Sequence, residues 1–202
     1  MYESGSRTKQ GDILMYTMNQ PRMISETKNV IEMEAAGQTD FFIDALNSKQ
    51  RDDAPFYYEK RKGDFVIRAR VRPEFKKNYD AGGLFIYDST KKWIKYEFEM
   101  TDLGYPSVVS VVTNGSSDDC NGEKQEGIAE LWLQVARRGD NWVLHHSDNG
   151  KKWKMSRYFS LKMKVEVKIG LEVQSPLGSG CRAEFYGLKI EDNNLKDMRK
   201  GR

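Results

Sequence analysis

Alternation of apolar and polar residues with period two dominates the chain from residue 55 onward. In "FVIRARVR", Phe65, Ile67, Ala69 and Val71 share one face, and Arg68, Arg70 and Arg72 share the other. "VEVKIGLEV" repeats the pattern, with Val165, Val167, Ile169, Leu171 and Val173 opposed to Glu166, Lys168 and Glu172. Strands of this kind build a sheet with one wet face. Turn signals separate the runs: "KGD" at 62, "KNYD" at 77, "DSTKK" at 88, "RGDN" at 138, "SDNGK" at 147 and "SPLGSG" at 175. Their spacing is that of an antiparallel sandwich or barrel. No helix-period segment of convincing length competes: "NVIEMEAAG" reads as a short helix or a strand, and "DNNLKDMRKGR" as a polar tail. The pattern predicts one all-β domain over residues 1–202, with roughly a dozen strands in two packed sheets.

The strand "WIKYEFEM" carries the chemistry. Ile94, Tyr96, Phe98 and Met100 share an apolar face, and Trp93, Lys95, Glu97 and Glu99 share the opposite one. An indole beside an ammonium and two carboxylates suits a sugar: the ring meets the C–H face of a pyranose, and the charged groups bind hydroxyls. The same residues also suit a solvated face with a cross-strand ion pair. Alternation puts Trp132, Gln134 and Arg138 on the polar side of "ELWLQVARRGD", and places His145 opposite Trp142 and His146 in "NWVLHHS". These side chains are expected to add to the sugar-binding face, while Trp142 and Trp153 serve as core or turn packing. In "SDNGKKW", Asn149 and Gly150 supply a tight turn onto which Trp153 folds.

Glu97 and Glu99 lie about 6.5–7 Å apart along the strand, a separation open to glycoside hydrolysis as well as to plain surface charge. They are the candidate catalytic residues. Metal ligation finds little support: His145 and His146 point to opposite faces, Cys120 and Cys181 have no CxxC partner, and "SSDDCNGE" fails the EF-hand spacing. No cofactor is expected, and no phosphate-binding glycine pattern occurs. In "SVVSVVTNGSSDDCNGE", residues 107–113 read as a strand and the remainder as the polar loop that ends it.

With a net charge of +3 and basic residues interleaved with acidic ones, nucleic acid is not an expected partner. Two cysteines in 202 residues suit a reducing compartment. No secretory signal and no membrane-spanning run is visible, so a cytoplasmic location and no membrane partner are expected.

An ordered set of fragments adds to this reading: "TDFF" at 39, "GDF" at 63, "YDAGGLFIYDSTKKWIKYEFE" at 79, "SVVSVVTNGSSDD" at 107, "RRGDNWVLHHSDNGKKW" at 137, "QSPLGSG" at 174 and "AEF" at 183. Over residues 39–190 the chain resembles the family of domains of unknown function numbered 1349, which includes fungal "regulation of enolase" proteins. The resemblance implies a concanavalin A-like lectin/glucanase fold, a jelly-roll sandwich of two curved antiparallel sheets, with residues 191–202 as a tail. The family-like polar positions are Asp80, Trp93, Lys95, Glu99, Ser110, Thr113, Ser117, Asp118 and Arg138. Many members have tryptophan where this chain has Asp119. Catalytic glucanases of the wider superfamily carry Glu-x-Asp-x-Glu on a concave strand, where the comparable spacing here reads Lys95, Glu97, Glu99. A lysine supplies neither nucleophile nor acid, so the resemblance favours binding over hydrolysis. The expected ligand set is Asp80, Trp93, Lys95, Glu97, Glu99, Ser110, Thr113, Asp118, Trp132, Arg138 and His145. The expected partner is a carbohydrate or small polyol. A protein partner, with the chain as regulator of a metabolic enzyme, is the alternative.

Overall fold

A computed structural model describes residues 3–4, 9–10 and 13–202. The described residues form strands and no helix. In chain order the strands are β1 (Glu3–Ser4), β2 (Lys9–Gln10), β3 (Ile13–Leu14), β4 (Tyr16–Met18), β5 (Met23–Glu26), β6 (Val30–Ala36), β7 (Phe41–Ile43), β8 (Gln50–Asp52), β9 (Phe56–Lys62) and β10 (Phe65–Pro73). They continue with β11 (Ala81–Ser89), β12 (Lys92–Met100), β13 (Pro106–Asn114), β14 (Ser117–Lys124), β15 (Leu131–Arg138), β16 (Asn141–Ser147), β17 (Lys154–Ser160), β18 (Glu166–Gln174) and β19 (Gly180–Asp192). One sheet has eight strands in the order β1-β4-β9-β18-β11-β12-β13-β14, and the other has seven in the order β17-β16-β15-β10-β19-β6-β5. Every pairing is antiparallel, and the two sheets make a jelly-roll sandwich.

The alternation in the sequence sets the core. Phe65, Ile67, Ala69 and Val71 of β10 face Leu84 and Ile86 of β11, Ile94, Tyr96 and Phe98 of β12, and Leu171 and Val173 of β18 in one apolar layer. "NVIEMEAAG" takes the strand option as β6, because Ile31, Met33 and Ala35 alternate into that layer. Val165 departs from the expected face: it precedes β18 and is exposed.

Three segments close surfaces that the sequence left open. The hairpin β7–β8 lies over the outer face of the eight-stranded sheet, so β12 is buried on both faces from Trp93 to Glu99. Phe41, Ile43 and Ala54 join Phe56, Tyr58, Phe85, Tyr87 and Trp93 there in a second apolar cluster. The expected loop "NGSSDDCNGE" is instead a turn at 114–116 followed by the edge strand β14, paired with β13 from Thr113↔Ser117 to Ser107↔Lys124. Its polar side chains fit that position, since polar edges resist pairing with a second chain. The expected polar tail folds back on the outer face of the seven-stranded sheet, where Leu195 and Met198 pack on Val66, Ala136 and Val143.

Candidate functional site

The outer face of the eight-stranded sheet has an apolar half and a polar half. Cross-strand register makes the division. Trp93 lies opposite Tyr87, and Lys95 opposite Phe85; one step further along, Glu97 lies opposite Gly83 and Glu99 opposite Ala81. On the far side of β11, Glu172 is opposite Gly83 and Gln174 opposite Ala81. Glycine at 83 lets the two glutamates meet across the strand between them. A Cβ there would come within 2.7 Å of the Glu97 Cγ and 2.4 Å of the Tyr96 carbonyl oxygen.

Glu97 and Glu172 are each only 1% exposed and hydrogen-bond to one another; among the described residues the Lys95 ammonium, ion-paired with Glu97, is the donor group that approaches them, and the Glu172 oxygens have none. Two carboxyls bond in this way only while one keeps its proton. Burial, and then the neighbouring Glu97, push the Glu172 carboxyl well above the usual range against the opposing pull of Lys95. Lys95, 2% exposed, is held by Asp40 Oδ1 at 2.9 Å, Gln174 Oε1 at 2.5 Å and Glu97 Oε2 at 3.4 Å. Burial disfavours its charge, but Asp40, Glu97 and Glu172 together outweigh burial and keep it an ammonium.

Beside this cluster a cleft of about 270 Å³ opens to solvent. Its floor is Lys95, Glu99, Gln174, Asp40 and Asp119, and its walls include Phe42, Tyr79, Val111, Pro176 and Leu177. Glu99 is raised well above the usual carboxylate range by burial and then by Glu97. Its hydrogen bond is from Gln174 Nε2 at a long 3.4 Å. Asp119 is raised by burial, partly offset by Lys95. Tyr79 holds a φ of 68°, a left-handed conformation costly for a large side chain. Its N–H donates to the Met100 carbonyl at 2.6 Å, and its own carbonyl accepts from Gln174 Nε2 at 3.2 Å. The tyrosine is thereby fixed at the lip.

The family model described as "Protein of unknown function (DUF1349)" matches residues 17–193. The chain belongs to the DUF1349 family. A relative from Saccharomyces cerevisiae (strain ATCC 204508 / S288c), "Regulation of enolase protein 1", is 24% identical over 173 residues, covering 86% of this chain and 83% of its own length. The crystal structure of a functionally unknown protein from Saccharomyces cerevisiae superposes with a TM-score of 0.84 at 21% identity, covering 93% of this chain and all of that one. A point mutant of the GH43 protein BlXynB from Bacillus licheniformis superposes at 0.68 with 13% identity; the match covers 93% of this chain but only 38% of that one. The exoplasmic/lumenal domain of VIP36, in a Ca²⁺/Man3GlcNAc-bound form, superposes at 0.54 with 9% identity, over 90% of this chain and 85% of that one. At these identities the solved structures establish the fold alone.

This DUF1349 sandwich separates the residues that the sequence grouped. Lys95 and Glu99 line the cleft, with Glu97 behind them. Trp93 is on their face but fully buried, with Phe41 at 5.8 Å and Tyr87 stacked at 6.5 Å, so it offers no platform to a ligand. Thr113 is buried beneath the same cover, bonded to Ser117 Oγ at 2.8 Å, which in turn accepts from the Ile43 N–H at 2.9 Å. Asp80 is a fastener: Oδ2 accepts from the N–H groups of Lys76 and Lys77, both at 2.9 Å, and Oδ1 accepts from Ser175 Oγ at 2.6 Å. Ser110 and Asp118 sit on the opposite face of their strands, where Arg157 of the other sheet reaches them at 3.4 and 2.8 Å.

Trp132, Arg138 and His145 are on the far side of the molecule. They project from the outer face of the seven-stranded sheet because Leu131, Leu133 and Val135 take the core face of β15. Arg138 donates to the Leu195 carbonyl at 2.6 Å, and His145 Nε2 lies 3.2 Å from the Arg199 carbonyl. The Trp132 indole also lies against the Asn149–Gly150 turn, within 3.0 Å of where a Gly150 Cβ would stand. Asp40, Tyr79, Glu172 and Gln174 were absent from the sequence-based set because they reach the site through non-local pairing.

Proposed function

We propose that this chain is a non-catalytic carbohydrate-binding protein that holds a sugar or small polyol in the cleft floored by Lys95, Glu99 and Gln174. The observation that carries this reading is the pairing of apolar walls with a polar floor in one small cleft. Tyr79, Phe42 and Leu177 offer flat apolar surface to C–H groups, while Asp40, Glu99, Asp119 and Gln174 offer oriented hydrogen-bond partners to hydroxyls. A volume of about 270 Å³ suits one sugar unit or a chain end. The glycan-bound form of VIP36 and the GH43 protein BlXynB, both with this fold, support the ligand class by analogy.

Hydrolysis fits less well. Glu97 is engaged with Glu172 and Lys95 behind the floor, so it does not flank a bond in the cleft as a second carboxyl must. The free thiols of Cys120 and Cys181 support a reducing compartment such as the cytoplasm. The yeast relative's name, "Regulation of enolase protein 1", favours a second reading, a regulatory partner of a metabolic enzyme, which pull-down from the native host would test.

Calorimetric titration with a panel of neutral, acidic and amino sugars tests the first reading. Binding is expected for at least one, and Tyr79→Ala is expected to weaken it about tenfold through loss of the ring. A folded protein that binds none of the panel overturns the reading.

A further inference from the structure

The electrostatics of the cleft identify its ligand further, on the basis of the carbohydrate reading above. Five carboxyl groups converge there: Asp40, Glu99 and Asp119 on the lining, with Glu97 and Glu172 behind them. One ammonium opposes them. It donates hydrogen bonds to Asp40 at 2.9 Å and Gln174 at 2.5 Å and pairs with Glu97 at 3.4 Å. Lys95 is thereby neutralised by groups of the protein itself, which weakens its pull on an anionic ligand. The nearby guanidinium of Arg51 is also committed, to the Pro176 carbonyl at 3.4 Å and to Asp53 at 3.9 Å.

Glu99 is the exception to this pairing. Its carboxyl lines the cleft and is nearly buried, yet among the described residues it accepts a single long hydrogen bond from a neutral amide and has no cation of its own. Asp119 stands on the same lining at the edge strand, its carboxylate in no ion pair among the described residues. Tyr79 presents an aromatic ring at the lip beside both. A buried carboxyl, a second carboxylate and a ring face together form the usual surroundings of an ammonium group.

We infer that the ligand carries a protonated amine beside its hydroxyls, as a hexosamine does, and that Glu99 and Asp119 receive the amine. Before binding, burial and then Glu97 hold the Glu99 carboxyl well above the usual carboxylate range. An ammonium placed against it favours the ionised form and pulls the carboxyl back down, so binding is accompanied by proton release to buffer.

Calorimetry of the full chain with glucosamine, glucose, N-acetylglucosamine, glucuronate and ethanolamine at one pH tests the inference. Glucosamine is expected to bind roughly tenfold tighter than glucose or N-acetylglucosamine, since a charge-assisted bond is about twice as strong as a neutral one. Glucuronate is expected not to bind. The glucosamine enthalpy is expected to vary with the ionisation enthalpy of the buffer, and the glucose enthalpy to stay constant. Asp119→Asn, on a strand edge and outside the core, is expected to remove most of the tenfold preference; Glu99→Gln is expected also to abolish the buffer dependence. Equal affinity for glucosamine and glucose overturns the amine inference and leaves the carbohydrate reading standing. Ethanolamine binding as tightly as glucosamine supports the amine site and overturns the carbohydrate reading. No binding by any of the five overturns both.

Discussion

The absence of a side chain at Gly83 decides the chemistry around it. With a Cβ there, the carboxyls of Glu97 and Glu172 would be driven apart, because the alanine methyl would meet Glu97 Cγ and the Tyr96 carbonyl. Without it they meet in a dry layer, where burial raises both carboxyls. This arrangement has a signed effect on stability. A carboxyl raised in the folded state holds a proton that the unfolded chain releases above its ordinary value of 4.5. The contribution is full below pH 4.5 and is lost as the pH rises through the folded value. Glu172→Gln keeps the shape, donates permanently to Glu97 and has no proton to lose. The variant is expected to match the wild type near pH 4 and to exceed it by about 1–2 kcal/mol near pH 8. Thermal melts at the two pH values check this, with about 2–4 °C expected per kcal/mol in a chain of this size. A variant that melts below the wild type at pH 8 would show that both glutamates are ionised and held by Lys95 instead.

Among elements, the hairpin β7–β8 does most to turn a wet sheet face into a site. It roofs one half of that face with Phe41 and leaves the other half as a cleft floored by Asp40 and Lys95. Phe41 is fully buried, at 4.6 Å from Phe85 and 5.8 Å from Trp93. Phe41→Ala is expected to cost about 3–5 kcal/mol in denaturant unfolding, since the cavity opens among rigid rings. A cost below about 1 kcal/mol would show that the roof is not part of the cooperative core. The hairpin was not legible in the sequence: "TDFFID" gives at most three alternating positions, and the rings that Phe41 meets, Phe85 and Trp93, lie more than forty residues further along the chain. The long strands β10, β12 and β18 were legible, because each sustains alternation long enough to fix both strand and face. Alternation also correctly put Trp93, Lys95, Glu97 and Glu99 on one face, but it cannot say what covers that face. Polarity misled in "NGSSDDCNGE", where polar side chains are the mark of an edge strand as much as of a loop. It misled again in the tail, where Leu195 and Met198 are two apolar residues among charges.

At the scale of the whole molecule, the two outer faces do different work. Strand-by-strand alternation says which side chains leave the core, but the sheet to which a strand belongs decides on which side of the sandwich they emerge. That is why Trp132, Arg138 and His145 lie across the core from Lys95, although all four alternate outward. The far face is closed by the chain's own C-terminal segment. Asn193 Nδ2 donates to the Arg137 carbonyl at 2.7 Å, Gln134 Nε2 to the Gly201 carbonyl at 3.3 Å, and Met198 covers Val66 and Val143. Sites separated by a full sandwich and sharing no partners are expected to respond independently to mutation. Met198→Ala is expected to lower stability by about 2 kcal/mol, the lower end for a buried methionine that retains some exposure. It is expected to leave the affinity of the opposite cleft for the ligand proposed above unchanged. Urea unfolding and calorimetry on the same preparation check both halves together. Loss of affinity in a fully folded Met198→Ala protein would mean that the two sheets move as a coupled pair, and that the tail regulates a cleft it never touches.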